Sequence, residues 1–173
     1  MNHPLDQFRY CPSCGDTHFE IRNEKAKHCA ACGFVYYFNP SASTACFLKN
    51  RKGELLVVRR AKDPAIGTLD LPGGFADMYE TAEESVVREI KEETGLVPVS
   101  CRYLFSLPNI YLFMGFSVHT LDLFFECVVD GFDQAVACDD AAEILILRPE
   151  DLDPQKFGLD SIKKAVDLYR TKY

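Results

Sequence analysis

Residues 74–96 read GFADMYETAEESVVREIKEETGL, and the fold is read outward from this stretch. Thr81 followed three residues later by Glu84 is a capping box, which predicts a helix starting just after Thr81. Gly95 falls where a left-handed cap would end it. Within that helix Glu89, Glu92 and Glu93 stand at i, i+3 and i+4 and share one face. Three like charges at this spacing repel one another, an arrangement that a purely structural helix has no reason to keep. A divalent cation relieves the repulsion, and hard carboxylate oxygens suit Mg²⁺ or Mn²⁺. Arg88 has Glu84 at i−4 and Glu92 at i+4, so it can hold a carboxylate in orientation.

The chain has 173 residues, enough for one ordinary domain with a small appendage. Apolar residues make up 47% and charged residues 26%, a globular composition with no low-complexity tract. No apolar run reaches membrane-spanning length, and the start, MNHPLDQFRYCPSC, lacks the apolar core of a signal peptide; a cytoplasmic location and no membrane partner are therefore expected. A net charge of −7 argues against broad attraction to nucleic acid. It leaves room for a phosphate-bearing small molecule, because bound cations would dominate the local field.

Residues 1–40 form a first unit, and residues 41–173 a second. Cys11-Pro-Ser-Cys14 and Cys29-Ala-Ala-Cys32 are two C-x2-C knuckles with fourteen residues between them, each followed by a glycine (Gly15, Gly33). Four thiolates so spaced predict a closed, tetrahedral structural Zn²⁺ site, with glycine freeing backbone amides to face sulfur. Neither two disulfides nor a redox pair accounts for the duplication. His3, His18 and His28 are read as surface residues, since four cysteines complete the shell. Arg9, Arg22, Lys25 and Lys27 are balanced by Asp6, Asp16, Glu20 and Glu24, so this ribbon lacks a basic footprint for nucleic acid. Cys46, Cys101, Cys127 and Cys138 are scattered, and are read as small buried hydrophobes. The aromatic run from Phe34 to Phe38 reads as a strand packing the ribbon onto the next unit, or as a source of a tyrosine for stacking on a base or across a homodimer.

In the second unit Thr44–Lys49 and Glu54–Arg59 read as strands around a turn at Asn50–Gly53. Arg59 and Arg60 close the return strand, and one of them is a candidate to face phosphate. Val99–Phe105 and Thr120–Asp130 read as further strands, the latter buried on both faces. Ser106–Ser117 between them reads as an aromatic-rich connector with three open roles: substrate wall, dimer contact or core. Asp139-Asp140 reads as a turn, Glu143–Arg148 as a last strand, Pro149 as the start of a short helical turn, and Gly158–Tyr173 as a terminal helix by its apolar spacing.

Gly74, Glu80, Arg88, Glu89, Ile90, Glu92, Glu93, Gly95 and Leu96 fall at all nine specified positions of the Nudix box, entered through Leu71-Pro72-Gly73. The chain thus resembles the Nudix hydrolases over roughly residues 44–152, and the four-cysteine ribbon ahead of it resembles the NADH pyrophosphatase-like branch. The resemblance implies an α/β fold, a Nudix α/β/α sandwich with a mixed sheet preceded by a small zinc ribbon. It implies Mg²⁺ or Mn²⁺ held by Glu89, Glu92 and Glu93, with the Gly73 carbonyl and an outlying glutamate as further ligands. Glu143 matches that outlying position, and Glu126 is the second choice. Arg88 would position the cluster, one glutamate such as Glu92 would serve as general base, and Glu80 would bond backbone in the loop. Tyr37 falls where a substrate-contacting tyrosine is expected, and Arg60 joins it as a candidate substrate contact. The implied activity is cleavage of the phosphoanhydride in a nucleoside diphosphate linked to another moiety, such as NADH, NAD or ADP-ribose. The branch's Ser-Gln-Pro-Trp-Pro-Phe-Pro signature is replaced by Ser106-Leu-Pro-Asn-Ile-Tyr111, and the chain has no tryptophan, so NADH preference is not implied. A nucleotide sensor, a nucleic-acid-binding regulator and an RNA-end pyrophosphatase are the alternatives. The intact carboxylate set weighs against the sensor, and the acidic balance against the other two.

Overall fold

The predicted helix is present as α1 (Ala82–Thr94) in a computed structural model that describes residues 3–138 and 141–172. Both halves of the capping box form, with the Thr81 side chain accepting from the Glu84 amide and the Glu84 carboxylate accepting from the Thr81 amide. Gly95 caps the far end at φ 72°, its amide donating to the Lys91 carbonyl.

Ahead of α1 lie β1 (Phe19–Asn23), β2 (Ala26–Cys29) and β3 (Val35–Tyr37), an antiparallel three-stranded sheet in that order. A larger sheet begins with β4 (Ser41–Lys49) and continues through β5 (Leu55–Arg60), β6 (Leu69–Asp70) and β7 (Gly73–Phe75). After α1 come β8 (Ser100–Phe113), β9 (Phe116–Val128), β10 (Ala141–Leu147) and α2 (Asp160–Lys172). The order across the sheet is β10-β5-β4-β9-β8, with β6 beside β5 and β7 beside β4. Only the β4–β9 pair within it is parallel, so the sheet is mixed.

Strand alternation divides the core into two layers. On β4, Cys46 and Leu48 face α1 and meet Val86 and Ile90, while Ala45 and Phe47 face α2 and meet Ile162, Ala165 and Val166. Phe47 stacks on Tyr169 with ring centroids 3.9 Å apart. Ile90 is wholly out of water, and cutting it to alanine would cost about 2–5 kcal/mol. Cys46 and Cys127 are buried in the α1 layer as expected of small hydrophobes, Cys101 is partly covered, and Cys138 is exposed.

The connector expected at Ser106–Ser117 is instead the continuation of two strands. β8 and β9 run 14 and 13 residues and pair without a break from Phe105 to the hairpin tip. The tip is Met114-Gly115, with φ of 49° and 79°, the double left-handed turn that matches strand twist. β8 is an edge strand, which is why Pro108 is tolerated within it. The turn expected at Asp139-Asp140 lies outside the described residues. No described helix is long and apolar enough to cross a membrane.

The small sheet rests on this hairpin tip. Phe8 and Phe38 both pack edge-on against Phe116, and the Gln7 amide nitrogen donates to the Gly115 carbonyl. The aromatic run after the last knuckle thus serves mainly to join the two units, with Tyr36 stacked on Phe8 and Tyr37 half-exposed.

Candidate functional site

The box brings a glycine strand and a helix face together. β7 lies against β4 with Gly73 opposite Ala45, and at φ 154° a side chain at Gly73 would strike the Thr44 carbonyl. A β-carbon on Gly74 would stand 2.6 Å from Glu89 Oε1, so the missing side chain is what admits that carboxylate. The Gly73 amide donates to Glu93 Oε2 at 3.2 Å. Glu93 is only 6% exposed, whereas the Glu92 side chain is 47% exposed.

Arg88 gathers the rest. Its guanidinium donates to Glu80 Oε1 and Oε2, to Glu89 Oε1 at 2.8 Å, to Glu92 Oε2 at 2.9 Å and to the Phe75 carbonyl. Glu84, at i−4, goes to the Thr81 cap instead, because the capping box claims its carboxylate. Glu80 also accepts from the Asp77 amide, the backbone role expected of it. The Arg88 hydrogen bonds, with that amide, hold the Glu80 carboxyl down at about 2. Burial pushes the Glu89 carboxyl the other way, upward, against the pull of Arg88.

The remaining candidates are spread more widely. Glu143 pairs with Arg59, its cross-strand neighbour, at 2.7 Å. Glu126 is on the α2 face, taken up by Lys49, Arg102 and Tyr169. Arg60 pairs with Asp70 and donates to the Pro64 carbonyl. Tyr37 ends β3 of the small sheet and pairs there with Ala26.

The four knuckle cysteines converge. Their sulfur atoms lie within 4.8 Å of one another, with Cys11–Cys32 at 3.8 Å and Cys14–Cys29 at 3.7 Å. A tetrahedron of sulfurs about 2.3 Å from a central zinc has edges of about 3.8 Å, so the cluster could hold that ion. Gly15 and Gly33, at φ near 77° and 75°, close each knuckle by donating to the carbonyls of Cys11 and Cys29 rather than to sulfur. Burial opposes ionisation of Cys11, but the amides of Cys14 and Ser13 and the neighbouring thiols bring it down to about 7. His18 stays on the surface beside Asp16.

Sequence reasoning missed a cavity of about 370 Å³ on the α2 side of the sheet. Gly73 and Gly74 form part of its wall, and its polar lining includes Asp70, Asn109, Tyr111, Thr120 and Asp122. Asp122 accepts from Ser43 and from Ser161 in the first turn of α2, tying that helix to two strands. Burial pushes the Asp70 carboxyl up, while Arg60 and the Leu71 amide counter it. The segment that departs from the NADH signature, Ser106–Tyr111, is the part of β8 that supplies Asn109 and Tyr111. Polar residues at inward-facing strand positions were the available signal.

A mixed sheet held between two helices, with clustered glutamates on one of them beside a glycine strand, defines the class. Residues 39–167 match the model of the NUDIX domain, and the chain belongs to that family. It is 27% identical over 163 residues to the NAD-capped RNA hydrolase NudC of Pseudomonas putida (strain GB-1), covering 94% of this chain and 56% of the relative. Over 62 residues, 36% of each chain, it is 44% identical to the ADP-ribose pyrophosphatase of Methanocaldococcus jannaschii. The chain spans about half the length of the NudC relatives it matches. A NUDIX hydrolase structure from Nitrosomonas europaea superposes with a TM-score of 0.69 at 18% identity, covering 95% of this chain and 91% of that one. The NUDIX domain of Shewanella oneidensis NrtR, crystallised with ADP ribose, gives 0.62 at 18% identity, covering 79% and 90%. These structural likenesses carry the fold.

Proposed function

We propose that this chain hydrolyses the phosphoanhydride of a nucleoside diphosphate linked to another moiety, NAD(H), ADP-ribose or a similar dinucleotide. The observation that carries the reading is the set of glutamates drawn together by Arg88 and the Gly73 amide on α1 of a NUDIX domain. The donor set fits Mg²⁺ or Mn²⁺: all oxygen, anionic, and crowded enough that a guanidinium already sits among the carboxylates. Glu89, Glu92 and Glu93 would hold the metal, with Glu143 and the Gly73 carbonyl as further donors. Once bound, the ion would offset charge on the diphosphate and lower the pKa of a water.

The chain's own residues divide the remaining work. Glu92, the most exposed of the three, is the one suited to serve instead as the base, taking the proton as water attacks phosphorus while the other two hold the metal. The bridging P–O bond breaks, yielding a nucleoside monophosphate and the other moiety as its phosphate. Arg88 keeps Glu89 and Glu92 in place through two separate hydrogen bonds. Arg60 and Tyr37 are candidate contacts for the far ends of the substrate. In this reading residues 1–40 form a zinc ribbon and residues 41–173 the hydrolase domain, with Zn²⁺ on Cys11, Cys14, Cys29 and Cys32 in a structural role.

The names of the NudC relatives favour one further substrate, the NAD cap of an RNA, in which the same anhydride is present. Its test belongs with the first. Purified protein with Mg²⁺ or Mn²⁺ is incubated with NADH, ADP-ribose, FAD, dinucleoside polyphosphates and NAD-capped RNA, and the products are resolved. Release of a nucleoside monophosphate, or of a 5′-monophosphate RNA end, is the expected result. Binding of these ligands without cleavage by either metal would overturn the hydrolase reading in favour of a nucleotide sensor.

A further inference from the structure

Asn109 and Thr120 face each other across β8 and β9, and both line the cavity behind β7. They are 6% and 3% exposed. Burial of this kind is normally matched by hydrogen bonds, and here it is not. The Thr120 hydroxyl has no partner among the described residues, and Asn109 beside it lines the cavity wall. Nearby Asp70 and Asp122 are engaged by Arg60, the Leu71 amide, Ser43 and Ser161, so the unmatched hydroxyl stands apart from them at this cross-strand pair.

We propose that this cavity is the base subsite, and that the Asn109 amide reads a planar heterocycle of the adenine type. The proposal deepens the hydrolase reading and rests on it for the position of the diphosphate. Adenine sets an amino donor beside a ring-nitrogen acceptor, the pattern that an asparagine side chain meets with two hydrogen bonds. The edge read is that of N7, where a 6-oxo purine sets two acceptors, N7 and O6, and leaves the asparagine carbonyl oxygen unmatched. Arg60 and Lys62 also line the cavity and offset its carboxylates, so the placing of the base inside and the diphosphate at the mouth rests on the glycine wall. The mouth has the right neighbours, because the glycines that wall the cavity are those that touch the box carboxylates. Gly73 donates to Glu93, and Gly74 abuts Glu89. A volume of about 370 Å³ is within the range of small-ligand pockets and accepts a purine with its ribose.

The test uses the full chain and AMP against IMP, which differ at the 6-position of the purine. Calorimetry without catalytic metal is expected to show AMP binding roughly tenfold or more tightly than IMP. Asn109→Leu is expected to abolish that preference, and Thr120→Val to reduce it. In the unmodified chain the side-chain amide resonances of Asn109 are expected to shift on adding AMP, a readout independent of any variant's folding. Equal affinity for the two nucleotides, no binding of AMP at millimolar concentration, or unmoved Asn109 resonances would overturn the assignment. Turnover separates the two readings. An active enzyme that treats ADP-ribose and its hypoxanthine analogue alike loses only the base subsite, whereas an inactive chain that still prefers AMP loses only the hydrolysis.

Discussion

The two clusters of candidate metal ligands in this chain are built on opposite plans. In the ribbon four sulfurs surround a common point, each set by a two-residue knuckle that its own glycine closes. On α1 the carboxylates surround an arginine, and their positions depend on a helix, a capping box and an upstream strand, whose Gly73 bonds Glu93 across 20 residues. The first cluster joins two self-contained turns across the β1–β2 pairing. The second is held together by tertiary contacts and the Arg88 guanidinium, an arrangement that would suit the exchangeable metal and substrate proposed for it.

Removing metal should separate the two most strongly. Structural zinc in small modules contributes about 10–16 kcal/mol, far more than a three-stranded sheet can supply by itself. Metal analysis of reduced protein is expected to find about one zinc per chain. Chelation is expected to erase amide protection in β1–β3 while β4–β10 keep theirs; a zinc-free chain with an intact ribbon would break the comparison. Next in size is Glu93→Gln. Glutamine can still accept from the Gly73 amide, so melting should change little while turnover falls by orders of magnitude. Parallel loss of folding and activity would reassign Glu93 to structure.

The smallest effect concerns acid. Glu80 is held at about 2 against an ordinary 4.5, so its contribution to stability is complete above about 4.5 and fades as pH falls toward 2. The stability difference between the parent and Glu80→Gln should shrink over that window, read by denaturant melts at stepped pH. A difference that does not vary with pH would mean that Arg88 does not need the charge.

The two plans also explain what the sequence made legible. Knuckles, capping box, glycine stop and terminal helix are local patterns, and each one formed where its residues indicated. The long hairpin escaped because its aromatic run does not alternate cleanly and because Met114 takes a left-handed turn position that usually marks itself with glycine or asparagine. The cavity escaped for a different reason. Ser43, Asp70, Asn109, Asp122 and Ser161 are brought together only by sheet order and by the docking of α2, and no spacing along the chain encodes that. Likewise the choice of Glu80 over Glu84 by Arg88 depends on the path of the loop before the helix.

The hairpin tip carries a consequence for handling the protein. β8 is a free edge, and around the tip Ile110, Leu112, Phe113 and Met114 are exposed while Phe116 is covered by Phe8 and Phe38. An open strand edge with apolar flanks is a template for other chains to pair with. Residues 1–40 cover part of the tip beside that edge, so a chain cut at residue 40 would lose colloidal stability as well as its candidate metal site. Precipitation, rather than unfolding, is the failure to watch for in such a fragment.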